Sequence, residues 1–249
     1  MCIETEINVT TPLESRNYVQ MTLEILDKHG VKVSASKDLK KLRVPCNQNY
    51  IPHHHEVPGD FSSAAFLLAA AAITSSRVKV KNLNPHTKQG DKAILDVLEK
   101  MGSKITVKDE YVEVEGKQLN AIDVDAKDIP DLVPVCAVLA CYSKGVSKLY
   151  NARRLRYKES DRLSSLYAEL KKMGADITIT EDGLIIRGPC PLHGATINPH
   201  NDHRIAMACA IAALGASGET MIQNSECVKK SYPNFFDDLQ LLGADIIGK

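Results

Sequence analysis

The sequence predicts an α/β protein built from repeated β-α-β-α-β-β units, forming a three-fold domain turned inside out so that helices pack within sheets. Three observations predict it. The segments LDKHG, LEKMG, LKKMG and LQLLG end at Gly30, Gly102, Gly174 and Gly243, at steps of 72, 72 and 69 residues. Asp60, Asp131 and Asp202 keep nearly the same beat, 71 and 71 apart, and each opens a stretch rich in small and apolar residues. Short β-prone runs (RVKVKNL, SKLYNAR, TMIQNSE) follow those apolar stretches. A period near 70 residues is too long for a solenoid of small units.

The elements follow in chain order. Ser15 is positioned to cap a helix in ESRNYVQMTLEIL that stops at Gly30, and GVKVSAS and KKLRV then read as strands. Residues 1–54 therefore resemble the second half of a preceding unit. Pro and Gly in Val57-Pro58-Gly59 suit a hinge, giving a partial unit and hinge over 1–56 and three repeats over 57–249. GDFSSAAFLLAAAAI, IPDLVPVCAVLACYS and NDHRIAMACAIAAL are apolar almost all round, as buried helices are, with Asp60, Asp131 and Asp202 as N-caps. Amphipathic helices end at Gly102, Gly174 and Gly243; Leu163, Leu166, Tyr167, Leu170 and Met173 show the three-four spacing of one helix face. Glycine supplies the left-handed stop. GSKITVKDEYVEVEG and GADITITEDGLIIRG read as strand, turn, strand, and the same pair is expected after Gly243.

Composition narrows the function. The 249 residues carry 31 Lys+Arg against 31 Asp+Glu, with 44% apolar and 25% charged residues, the balance of a globular domain. Zero net charge lacks the basic excess a general nucleic-acid binder needs. The longest apolar run, Ala64 to Ile73, falls short of the roughly 20 residues of a membrane span. MCIETEINVTTPLES lacks the basic and apolar regions of a signal peptide, and seven scattered cysteines without a CxxC pair fit reduced thiols and a cytoplasmic setting.

Charge placement is more informative than charge number. Helix N-termini disfavour cations, yet Arg16, Lys158, Arg162, Arg204, Lys229 and Lys230 fall at or beside predicted helix starts, with Pro233 expected at a first helical position. Lys88, Lys158 and Lys230 keep the repeat, 70 and 72 apart. Any one of them reads as a solvated surface charge; the set, at repeat-equivalent positions, marks a site for a multiply anionic small molecule. No G-x-x-x-x-G-K-[ST] or G-x-G-x-x-G is present, which argues against a nucleotide held in such a loop.

Spacing alone makes the three aspartates caps rather than catalysts. Glu159 is either ion-paired with Lys158 and Arg162 or, in a cationic pocket, a general acid or base. His203 is equally a helix-start residue or part of the pocket. His53-His54-His55 has no carboxylate or cysteine at ligand spacing and reads as a solvated loop, not a metal site. Cys136, Cys141 and Cys209 fall on the buried helices as small core residues.

The segments SRNY, GDFSSAAFLLAAAAI, LRYKESDRL, NDHRIAMACAI and CVKKSYPNFFDDL together resemble the 5-enolpyruvylshikimate-3-phosphate synthase family, over essentially the whole chain. The resemblance implies an enolpyruvyl transferase-like fold of six units in two hinged domains, of which this chain holds the end of the N-terminal domain and the C-terminal domain. It implies transfer of the enolpyruvyl group of phosphoenolpyruvate to the 5-hydroxyl of shikimate 3-phosphate, releasing phosphate through a tetrahedral intermediate, without metal or organic cofactor. By the same resemblance Asp131 takes the hydroxyl proton and Glu159 serves acid–base chemistry at the methylene carbon. Arg162, Arg204 and Lys230 hold phosphoenolpyruvate, and Ser15, Tyr18, Lys158 and Arg154 face shikimate 3-phosphate. Arg154 stands where bacterial relatives often carry Asn.

The family's N-terminal lysine and arginine, its Asn-Ala-Gly-Thr loop and its Ser-Ser-Gln segment are absent from this chain. The chain alone is therefore expected to be inert or nearly so, with the missing N-terminal domain as its partner. Two rival readings stand beside this one: a sister transferase acting on UDP-N-acetylglucosamine, and a non-catalytic domain that binds phosphate-bearing ligands.

Overall fold

The computed structural model describes residues 3–248. The chain divides into two compact units, one of Met1–Pro58 with His86–Gly90 and one of Gly59–Pro85 with Asp91–Lys249.

In the first unit, strand β1 (Thr5–Asn8) leads to helix α1 (Arg16–Lys28), then to β2 (Ser34–Ala35) and β3 (Lys41–Val44). The sheet order is β1-β3-β2, antiparallel throughout, with Thr5 opposite Val44 and Ser34 opposite Arg43. Helix α1 is amphipathic in pattern but has no buried residue. Ser15 stands at its N-cap in a left-handed conformation (φ 51°), with no side-chain capping bond. The cap expected from sequence is thus a position rather than an interaction.

The second unit realises the repeat. Helix α2 (Phe61–Ile73), strand β4 (Arg77–Lys81), helix α3 (Ile94–Met101) and strands β5 (Lys104–Val107) and β6 (Tyr111–Glu115) make the first copy. Strand β7 (Val124–Asp125), helix α4 (Val133–Tyr142), strand β8 (Gly145–Tyr150), helix α5 (Arg162–Lys172) and strands β9 (Asp176–Ile179) and β10 (Leu184–Gly188) make the second. Strand β11 (Thr196–Ile197), helix α6 (His203–Ala213), strand β12 (Met221–Ile222) and helix α7 (Phe235–Leu241) begin the third. No strand pair follows Gly243 among the described residues, so the third copy lacks the expected closing hairpin.

The sheet orders β4-β6-β5 and β8-β10-β9 repeat the β1-β3-β2 order, each with the last strand in the centre. Strand β7 adds parallel to β8, and β11 pairs parallel with β12. Val78 faces Val114 and Val80 faces Val112, a cross-strand apolar stripe of the kind that fixes register.

The apolar helices α2, α4 and α6 pack against one another in the centre, each buried on nearly every face. Small residues let them approach closely: Ala65, Ala69, Ala71, Ala137, Ala206 and Ala208 are fully covered. Cys136, Cys141 and Cys209 lie among them. The sheets and amphipathic helices of this second unit form its outer layer, the inside-out arrangement read from sequence.

The repeated glycines end helices by one device. The N–H of Val31, Ser103, Ala175 and Ala244 reaches back to the carbonyl of Leu26, Leu98, Leu170 and Leu239 at 2.9–3.0 Å. Gly30, Gly102, Gly174 and Gly243 hold the left-handed residue between, at φ 78–110°. This is the Schellman closure, for which glycine carries no Cβ penalty. Gly183 is required for a different reason: a Cβ there would lie 1.8 Å from the Leu149 carbonyl oxygen. No helix among the described residues is long and apolar enough to cross a membrane.

Candidate active site

The ends of α4, α5 and α6 bring the chemistry together. Helix α6 is capped by Asp202, whose Oδ1 accepts the Arg204 N–H at 2.9 Å. Helix α2 is capped the same way by Asp60, which accepts from Ser62 and Ser63. Asp131 breaks the pattern. It is the middle residue of a short 3-10 turn (Pro130–Leu132), and α4 begins after Leu132 with no side-chain cap. Proline at the start of that turn tolerates the missing N–H, which leaves the Asp131 carboxylate available. The repeat therefore conserves the position of the acid but not its task.

Arg162 is the centre of the cluster and its side chain is 1% exposed. It is the first residue of α5, which Asp161 caps through the Ser164 N–H. Its Nε donates to Asp202 Oδ2 at 2.8 Å, Nη1 to Asp131 Oδ1 at 2.8 Å, and Nη2 to Glu159 Oε2 at 2.8 Å. A buried guanidinium needs this degree of pairing, because an unpaired charge out of water is strongly unfavourable. Arg204 Nη2 lies 3.3 Å from the other oxygen of Asp131, and Lys158 Nζ lies 3.5 Å from Asp131 Oδ1. Lys230 Nζ donates to Glu159 Oε1 at 2.7 Å. Ser160 Oγ reaches Asp202 Oδ2 at 3.2 Å.

These contacts set the protonation states. Burial pushes Asp131 upward, but Arg204, Lys158 and Arg162 together hold it below the usual aspartate value. Burial likewise opposes ionisation of Glu159, yet the hydrogen bond from Lys230 and the charge of Arg162 outweigh it and bring Glu159 down to about 2. Both acids are therefore carboxylates at neutral pH. His203 is pushed down by burial and by Arg204, so its imidazole is neutral there. A cavity of about 340 Å³ beside the cluster is lined by Glu159, Asn201, Glu226, Cys227 and Lys230.

The sequence-predicted residues divide accordingly. Asp131, Glu159, Lys158, Arg162, Arg204 and Lys230 converge. Their cations are not all at helix N-termini as expected: Lys230 ends a 3-10 helix (Ser225–Lys230), Lys158 follows another (Arg153–Tyr157), and Pro233 precedes α7 rather than opening it. Arg154 lies in the same unit, with Nη2 donating to the Lys127 carbonyl at 2.9 Å. Ser15, Tyr18 and Lys88 belong to the first unit; there Tyr18 N–H donates to the Ser15 carbonyl, and Lys88 pairs with Glu24 at 3.3 Å. Rings of His29, His53 and His55 stand 5.5–6.1 Å apart in that unit, but no group of three His, Cys, Asp or Glu among the described residues is placed to hold a metal.

Two residues escaped the sequence reading. Asp202 was legible only as a cap; its partnership with Arg162, 40 positions away, shows only in three dimensions. Arg156 was passed over inside a basic run. It joins Asp161 Oδ2 (2.9 Å) to the carbonyls of Thr180 (2.9 Å) and Glu181 (3.2 Å), fastening the start of α5 to the β9–β10 turn.

A family profile described as EPSP synthase (3-phosphoshikimate 1-carboxyvinyltransferase) matches residues 1–239. A 3-phosphoshikimate 1-carboxyvinyltransferase of Methanocaldococcus jannaschii is 48% identical over 244 residues, covering 98% of this chain and 56% of the relative. One of Methanocella arvoryzae is also 48% identical, over 98% of this chain and 57% of the relative. Among solved structures, EPSP synthase from Acinetobacter baumannii superposes with a TM-score of 0.83 at 28% identity, over 96% of this chain and 56% of that one. The enolpyruvyl transferase NikO from Streptomyces tendae shares the fold, with a TM-score of 0.73 at 20% identity. The chain thus spans little more than half the length of the relatives it matches.

Proposed function

This chain belongs to the EPSP synthase family, and on that premise we propose that it carries one side of an active site for enolpyruvyl transfer from phosphoenolpyruvate to the 5-hydroxyl of shikimate 3-phosphate. Residues 57–249 are read as the C-terminal domain of three repeats, and residues 1–56 as the end of an N-terminal domain with its hinge. The rest of that domain is the partner the site needs, in a cytoplasmic setting. The observation that carries the reading is the meeting of Lys158, Arg162, Arg204 and Lys230 with Asp131 and Glu159.

The chemistry assigns each group a task. Arg204 and Lys230 receive the carboxylate and phosphate of phosphoenolpyruvate, with the guanidinium fork suited to either. Arg162 is buried and each of its nitrogens already serves an acid, so a ligand carboxylate that reaches its remaining N–H donors competes with Asp131 and Glu159 for the guanidinium. Asp131, ionised and faced by three cations, accepts the 5-hydroxyl proton as that oxygen bonds to C2 of phosphoenolpyruvate. The methylene carbon takes up a proton in the same addition. In the elimination the bond from C2 to the phosphate oxygen breaks, a proton leaves the new methyl group, and phosphate departs with its charge held by the cations. We assign Glu159 both methyl-proton steps: once protonated from solvent it gives that proton to the methylene carbon and later takes one back from the methyl group. The hydroxyl proton held by Asp131 leaves with the phosphate. With Lys230 drawn onto substrate, Glu159 loses the hydrogen bond that keeps it near 2, and its affinity for a proton rises. Lys158, Arg154, Ser15 and Tyr18 are assigned to shikimate 3-phosphate.

Calorimetric titration tests the reading. Phosphoenolpyruvate is expected to bind the chain, weakly, and Arg204→Ala to abolish the heat. Binding of UDP-N-acetylglucosamine in preference to phosphoenolpyruvate and shikimate 3-phosphate would overturn the assignment.

A further inference from the structure

We propose that Glu169 is a positioning residue for this site: it holds the turn that aims Asp202 and Arg204. The functional consequence rests on the reading above, whereas the geometry does not.

Glu169 lies on α5 seven residues beyond Arg162, two helical turns along the same face. Its side chain is 1% exposed, so its charge must be met by partners. Oε2 accepts the backbone N–H of Asn198 at 3.0 Å, and Oε1 faces His200 Nε2 at 3.0 Å. Lys172 Nζ also reaches both oxygens and meets part of that charge, but it lies on α5 itself and ties Glu169 to no other segment.

The segment Glu169 grips has an unusual backbone. His200 and Asn201 stand consecutively in the left-handed region, at φ 54° and 55°, a conformation that Asn and His adopt more readily than other non-glycine residues but that is uncommon at two successive positions. Inside the turn, His200 N–H donates to Asn198 Oδ1 at 2.9 Å and Asp202 N–H to the Pro199 carbonyl at 2.9 Å. The next residues are Asp202, which holds Arg162, and Arg204, which faces Asp131. One rigid helix face therefore clamps the segment 198–204 at both ends, Glu169 at the turn and Arg162 at the cap. Glu169 itself touches neither the cavity nor the acids of the site. It acts through Asp202.

The test reads the Arg162 Nε–H directly by NMR in the full chain with labelled arginine, the resonance assigned by its loss in Arg162→Lys. Glu169→Ala is expected to speed solvent exchange of that proton about tenfold or more, as local opening becomes easier. Glu169→Gln, which keeps an acceptor for Asn198, is expected to restore most of the protection. Val112→Ala in β6, a cavity control, is expected to lower stability and leave the signal in place. If Glu169→Ala does not fold, His200→Ala removes one partner of the clamp and is expected to speed exchange about threefold or more. Unchanged exchange in Glu169→Ala, or in His200→Ala where only that variant folds, would overturn the proposal, as would an equal change in Val112→Ala. The measurement needs no ligand. Failure of phosphoenolpyruvate to bind the wild-type chain would count against the functional reading alone, while the exchange rates still decide the role of Glu169.

Discussion

Without the carboxylate of Asp202, the buried Arg162 guanidinium would keep only Asp131 and Glu159, and Ser160 and the first turn of α6 would lose an acceptor. Asp202→Ala is expected to lower the unfolding free energy by about 3–5 kcal/mol, the cost of breaking a buried ion pair from one side. Urea denaturation at neutral pH measures it, and a loss under 1 kcal/mol would refute it. Glu159 supplies a pH test at the same scale. Its folded value, about 2, lies below its ordinary 4.5. Its contribution to stability is therefore complete above about pH 4.5 and lost as the pH falls toward 2. Asp131 shifts in the same direction. Glu159→Gln should make stability fall less steeply than in wild type between about pH 5 and pH 3, as followed by urea midpoints. Equal slopes would show that the Lys230 and Arg162 contacts do not set that ionisation. At this scale the sequence was half legible. KESDR and NDHR placed the right side chains near one another, but spacing could not tell that Asp131 binds cations while Asp60 caps a helix. That difference comes from Pro130 and the 3-10 turn it starts, a choice between two local hydrogen-bond patterns.

Among the elements, the central helices α2, α4 and α6 show how one pattern is built with different ends. Asp60→Ala removes bonds to the Ser62 and Ser63 N–H groups and is expected to cost about 1 kcal/mol, the ordinary worth of an N-cap. Thermal or chemical denaturation would register it, and a neutral result would mean that packing of α2 makes the cap redundant. The β9–β10 turn is less forgiving. Gly183→Ala drives a methyl group into the Leu149 carbonyl and is expected to destabilise by about 1–3 kcal/mol or more through overpacking, with the loss of protection centred on β8 and β10. Helix and strand order was readable because the periodicity is strong and each amphipathic helix closes on glycine. The strand pattern misled after Gly243: GADII resembles GADIT of the second repeat, yet it forms no strand among the described residues, where nothing pairs with it.

For the whole molecule, the two units differ in the means of holding themselves together. The second owns a continuous core of three central helices, whereas α1 of the first buries none of its residues. Amide exchange should therefore be slower over α2, α4 and α6 than over α1 and its sheet; mass-spectrometric exchange showing the reverse would contradict this. Enolpyruvyl transfer by the chain alone should be undetectable, and turnover of phosphoenolpyruvate with shikimate 3-phosphate would refute that. The overall neutrality of 31 against 31 charges was visible at once and gave no hint of a cationic site, because the site keeps its own anions. Under the proposed function, Asp131 and Glu159 hold the cations that a guest carboxylate or phosphate would engage, as tethered competitors at high local concentration. Affinity for any anion is then the outcome of an exchange, not of simple attraction. A guest that carries both a carboxylate and a phosphate gains more from that exchange than a singly charged ion does, because it meets more than one of the cations at once.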